Sequence, residues 1–147
     1  VTPYRLLITG SRDWTDDRAI TERLDNVYMS LSARKQLIVV HGACQTGADK
    51  IAADWVEWRW WNTVIPASIL DQDPHPADWD RLGKAAGPIR NQQMVDAGAD
   101  LCLAFPLNTS PGTSDCIKRA RTAGIPTLIF RSTQIALRTT NTPGDPK

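Results

Sequence analysis

The sequence predicts an α/β fold: one three-layer domain with a mostly parallel sheet of about five strands between helices. Three observations carry this expectation. Short apolar runs alternate along the chain with longer amphipathic ones. The short runs, such as LLIT and LIVV, are apolar throughout, as strands covered on both faces are. Glycine-bearing turns then lead from the ends of three of these runs towards a helix.

Taken in order, residues 4–9 (YRLLIT) read as a buried strand ending at Gly10. Residues 15–31 read as a helix, with Thr15 as N-cap, Asp16 and Asp17 at its positive end, and Ile20, Leu24, Val27 and Leu31 as its apolar stripe. Residues 36–41 form the second strand and 46–61 the second helix. In that helix Ile51, Trp55 and Trp58 share a core-facing stripe, whereas Trp60 and Trp61 fall off it and mark a partner surface. A short third strand is expected over 63–66. Residues 71–86, with prolines on both sides of His75 and little periodicity, read as a long surface loop, of a length that points to function. Pro88 and Gly98 bound a helix over 87–98. A strand over 100–105, a helix over 113–123 closed by Gly124, and a last strand over 126–130 complete the domain, residues 1–131. The remainder, 132–147, is polar and expected to be a partly disordered tail.

Composition narrows the function classes. Seventeen basic and 16 acidic residues leave a net charge of +1, which gives no global attraction to nucleic acid or to an anionic membrane. Three cysteines without CxxC spacing argue against a disulfide framework and against a zinc site; no metal and no cofactor is expected, and a reducing, cytoplasmic setting fits. No segment approaches the ~20 apolar residues of a membrane span, and VTPYRLLITG does not read as a signal peptide.

The chemistry concentrates at the strand–helix junctions ITGSRDWT, VVHGACQTGAD and AFPLNTSPGTSD, with a fourth helix start at AAGPIRN. In an open parallel sheet, ligands sit beyond the carboxyl ends of the strands, near the point where strand order reverses. Helix N-termini offer unpaired N–H groups and partial positive charge, and glycine admits a phosphate close to the backbone. Each junction alone is equally an ordinary turn or cap; together, with Arg12 and Arg90 adding charge, they point to a phosphorylated ligand. Neither GxGxxG nor GxxxxGK[ST] occurs, so the common dinucleotide and triphosphatase readings lose support. His41 and Asp49 are placed to line the ligand, Asp49 at a ribose or merely on the helix dipole. Trp79 in HPADW either stacks on a base or pins its loop. A Cys44–His41 nucleophile pair lacks an orienting third group in the sequence.

The set ITGSRDW, VHGACQTGAD, HPADW, GPIRNQQM, GADLCLAFP and SPGTSDCIKRA resembles the YspA-type, cpYpsA-related branch of the SLOG superfamily, over roughly residues 5–130. The resemblance implies a Rossmann-like fold. Relatives include the "lonely guy" phosphoribohydrolases, which release a base from a nucleoside 5′-monophosphate, and the DNA-processing protein A family, which binds single-stranded DNA. Others are thought to sense nucleotide-derived signals in bacterial and phage conflict. The phosphoribohydrolases use an arginine and the glutamate of a PGGxGTxxE motif. The resemblance places Arg90 on that arginine, Thr113 on the threonine and Asp115 on the glutamate. One glycine of the GG pair is missing here and the acid is the shorter Asp. Those relatives form dimers, which implies a homo-oligomer.

Two functions follow as expectations. One is hydrolysis of an N-glycosidic bond with Arg90 and Asp115 as catalytic residues, the carboxylate stabilising the charge that develops on the ribose. The other is a non-catalytic sensor or sequestering protein for a nucleotide signal. In both, the ligand contacts fall to Gly10, Ser11, Arg12, His41, Gly42, Gly47, Asp49, Trp79, Arg90, Asn91, Gly112 and Thr113.

Overall fold

A computed structural model describes residues 2–32 and 35–132; the expected tail beyond Ser132 lies outside the described residues. Five strands form one all-parallel sheet: β1 (Tyr4–Gly10), β2 (Leu37–His41), β3 (Leu70–Pro74), β4 (Leu101–Phe105) and β5 (Thr127–Ile129), in the spatial order β3-β2-β1-β4-β5. The helices are α1 (Asp17–Ser30), α2 (Gly47–Asn62), the one-turn α3 (Trp79–Leu82), α4 (Ala86–Ala97) and α5 (Pro111–Thr122). The chain winds outward from β1 to β3, returns to the other side of β1, and winds outward again. The strand order therefore reverses between β1 and β4, and the crevice rule puts a ligand at their carboxyl ends.

The period of two along β1 sorts the core. Leu6 and Ile8 join Leu37, Val39, Ile20, Leu24, Ala52, Trp55 and Val56 on the α1–α2 face. Leu7 joins Val40, Met94, Val95, Cys102, Cys116 and Ala120 on the α4–α5 face. These side chains are almost wholly buried, which is the burial an all-parallel sheet requires on both faces.

Three local expectations are corrected. The third strand is not at 63–66 but at Leu70–Pro74, running into the segment 71–86 read as a loop, and it pairs with β2 from Leu37–Leu70 to His41–Pro74. Val64 has a positive φ of 56° and is exposed, which rules out a strand there. As an edge strand, LDQDP buries fully only Leu70 and carries charge, so it has no apolar signature. Asp16, not Thr15, caps α1, accepting the Ala19 N–H at 3.3 Å. In α2 the buried ladder runs Ala48, Ala52, Val56 with Trp55 beside it; Trp60 packs on this core and donates to the Leu70 carbonyl, while Trp58 is exposed. No helix among the described residues is long and apolar enough to cross a membrane.

Candidate functional site

A cleft of about 220 Å3 opens at the carboxyl ends of β1 and β4, lined from the β1–α1 turn, the β2–α2 turn, α4 and the start of α5. Its most informative residue is Arg90, one turn into α4 and only 9% exposed. Nε donates to Asn91 Oδ1 at 3.0 Å, and Nη1 donates to the carbonyls of Gly42 and of His75, at 2.5 and 3.3 Å. Nη2 has no hydrogen-bond partner among the described residues, and Arg90 forms no ion pair among them. A guanidinium buried without a carboxylate costs several kcal/mol unless dipoles or an anion offset it. Two carbonyls and an amide oxygen offset part.

The opposite charge is close but not paired with it. Asp49, in the first turn of α2, is 7% exposed and lines the cleft. Its Oδ2 accepts the Cys44 N–H at 3.3 Å. The Cys44 thiol also hydrogen-bonds to Asp49; burial first, then the charge and hydrogen bond of Asp49, push the thiol pKa up. Cys44 is therefore a poor thiolate. His41 gives it no base. Its Nδ1 accepts the Ala43 N–H at 3.1 Å and its Nε2 lies 2.7 Å from Gln72 Oε1, so both ring nitrogens are engaged, and His41 is not among the cleft-lining residues.

The glycines differ in what they make room for. A Cβ on Gly42 would collide with the Arg90 guanidinium and lie 2.9 Å from Asp49 Oδ2. At Gly47, where φ is +73°, it would run into the Ser11–Arg12 backbone, whose Ser11 carbonyl accepts the Ala48 N–H at 3.1 Å. On Gly10 it would meet Ala48 and Phe105. Around Gly112, by contrast, a Cβ would meet nothing within 4 Å, and this residue lines the cleft. No side chain caps the start of α5: Ser110 Oγ donates to the Leu107 carbonyl at 2.6 Å instead. Gly112 and the buried Thr113 thus stand at an uncapped helix N-terminus facing the cleft.

Ser11, Arg12 and Asn91 also line the cleft. Asn91 Nδ2 bridges the Gly112 carbonyl, at 3.1 Å, and Asp115 Oδ2, at 3.0 Å. Asp115 itself is not among the lining residues; Arg119 Nε donates to the same Oδ2 at 2.8 Å. Burial raises the Asp115 pKa, but hydrogen bonds from Arg119 and Asn91 and the charges of Arg119 and Lys118 outweigh it and hold the carboxyl below its usual range. In the PGGxGTxxE motif the threonine and glutamate stand three apart, which counts from Thr113 to the wholly buried Cys116 and leaves Asp115 one position short. Trp79 is not among the cleft-lining residues and is 46% exposed. Its six-membered ring edge packs at Gly87, and the Arg12 guanidinium lies over its ring, 5.2 Å from the centroid. Met94 and Asp13 line the cleft without having been singled out from sequence. Met94 was recoverable, because it stands one helical turn beyond Arg90. Among the described residues no cluster of metal-ligating side chains occurs.

Fold and cleft together define a Rossmann-like α/β protein with a crevice, lined by Arg12 and Arg90, at the point where its strand order reverses. The chain belongs to the family described as YspA, cpYpsA-related SLOG family, which matches residues 4–82. It is 44% identical over 127 residues to the Gene 61 protein of Mycobacterium phage D29, covering 86% of this chain and 95% of that protein. No solved structure matches. Membership points to a nucleotide-related function; the match ends at Leu82, so Arg90, Asn91 and the α5 start lie beyond it.

Proposed function

We propose that the protein binds a nucleotide or nucleotide-derived ligand by its phosphate, in the cleft at the carboxyl edge of the sheet, and does not turn it over. The observation behind this reading is Arg90, a buried cation with no ion-pair partner among the described residues and one terminal nitrogen unengaged, beside the uncapped start of α5. The two N–H bonds of Nη2 suit a phosphate, and helix N–H groups add to them. Gly112, Thr113, Ser11 and Arg12 supply the remaining phosphate contacts. Binding without turnover is favoured over N-glycosidic hydrolysis because Asp115 is tied to Arg119 and Asn91 and does not line the cleft. The protein then senses or sequesters a nucleotide signal. It does so as a homo-oligomer, for which the exposed Trp58 and Trp61 of α2 offer an apolar surface.

Calorimetry with nucleosides, their 5′-phosphates, dinucleotides and ADP-ribose, with chromatography of the same mixtures, tests the reading. Phosphorylated ligands bind, the nucleosides do not, and no free base appears. Arg90→Lys keeps the charge but cannot hold the two carbonyls and present Nη2 at once, and weakens binding about tenfold or more. A nucleoside that binds as tightly as its 5′-phosphate overturns the site, and release of base overturns the non-catalytic assignment.

A further inference from the structure

Phosphate binding leaves Asp49 unexplained. A buried carboxylate beside a phosphate site opposes the phosphate, so this one works against Arg90 unless the ligand also uses it. Its place in the first turn of α2 accounts for part of it: Oδ2 accepts the Cys44 amide and the carboxylate also takes the Cys44 thiol, closing the turn ahead of the helix. No N–H or hydroxyl group among the described residues donates to Oδ1. Asp49 and Arg90 both lie against the same side of Gly42, yet they form no ion pair, because Nη1 is turned to two backbone carbonyls. Two opposite charges, each more than nine-tenths buried, are thus held in one cleft without an ion pair between them.

We infer that Asp49 accepts hydrogen bonds from sugar hydroxyls of the ligand, so that the cleft selects a phosphorylated ribose over its 2-deoxy counterpart. This rests on the phosphate reading above. A carboxylate oxygen has two lone pairs and takes both members of a vicinal diol, and hydroxyl-to-carboxylate bonds are among the stronger ones. The volume agrees. About 220 Å3 falls below the ~300–1,000 Å3 of sites that enclose drug-sized ligands, so the cleft encloses a sugar phosphate rather than a whole nucleotide.

The test uses ribose 5-phosphate, 2-deoxyribose 5-phosphate and inorganic phosphate, titrated calorimetrically into the full chain and into Asp49→Asn. Wild-type protein binds the ribose compound about tenfold more tightly than the deoxy compound. Asp49→Asn erases most of that preference while binding inorganic phosphate as well as wild type or better, since a negative charge is gone. Equal wild-type affinity for the two sugar phosphates overturns the inference, with no variant needed. So does an Asp49→Asn protein that tightens on all three ligands by one factor, because Asp49 is then only the counter-charge of Arg90. Should none of the three bind wild type, the phosphate reading fails and this inference with it.

Discussion

At Gly42 and Gly112 the same residue type does opposite work, and a single added methyl separates the two roles. Gly42 is bare so that Arg90 can reach its carbonyl. Gly42→Ala forces the guanidinium off that carbonyl, costs about 1–3 kcal/mol as an overpacked contact does, and removes ligand binding. Gly112 has open space at its Cα and sits in the first turn of α5. Gly112→Ala therefore leaves stability unchanged or raises it by up to about 1 kcal/mol, and weakens only the ligand. Denaturant midpoints together with calorimetry check both; a Gly112→Ala protein that binds normally removes Gly112 from the phosphate contacts. The sequence marked these glycines but not their neighbours. Gly47 is bare because Ser11 and Arg12 pass it, a contact across 35 positions that no local pattern encodes.

The helices α4 and α5 are joined beside the cleft by polar side chains. Asp115 accepts from Asn91 and Arg119, and Arg119 Nη1 also donates to Gln92 Oε1 at 2.9 Å. Because the folded-state pKa of Asp115 is depressed, its contribution is full above the ordinary carboxylate value and is lost as pH falls through the lower folded value. Asp115→Asn thus lowers the melting temperature at neutral pH and leaves less to lose on acidification. The gap from wild type is small for this partly exposed pair and closes in acid, below the ordinary carboxylate range. Thermal melts from pH 7 to pH 2.5 measure it; a gap that persists unchanged in acid means the effect is not the charge. At this scale legibility was uneven. Apolar strands and the longer helices read well, because burial writes itself into the sequence; caps did not, since Asp16 rather than Thr15 caps α1 and no side chain caps α2, α4 or α5. The edge strand β3 and the exposed Trp58 did not, since an edge strand needs little apolar content and an i+3 spacing from Trp55 does not by itself bury a side chain.

Across the whole molecule, the cleft is assembled from both halves of the sheet: the β1–α1 and β2–α2 turns on one side, α4 and the start of α5 on the other. The family match covers the first half alone, whereas the phage relative aligns over 127 residues; the junction pattern in the sequence takes in residues of both halves. What the sequence could not supply was the pairing of Arg90 with the Gly42 carbonyl, 48 positions away, or the separation of Arg90 from Asp49. A site built this way has no counterpart in the unfolded chain. Ligand binding then stabilises the entire domain by RT ln(1 + [L]/Kd), about 2.7 kcal/mol at a hundredfold excess over Kd. Thermal unfolding followed by tryptophan fluorescence and by far-ultraviolet circular dichroism should move upward together with ligand concentration, as one transition. In Arg90→Lys the same rise should begin at about tenfold higher ligand or beyond, in step with its weaker binding. If ligand instead shifted the fluorescence transition and left the circular dichroism transition in place, the two halves would unfold separately and the cleft could not be their shared site.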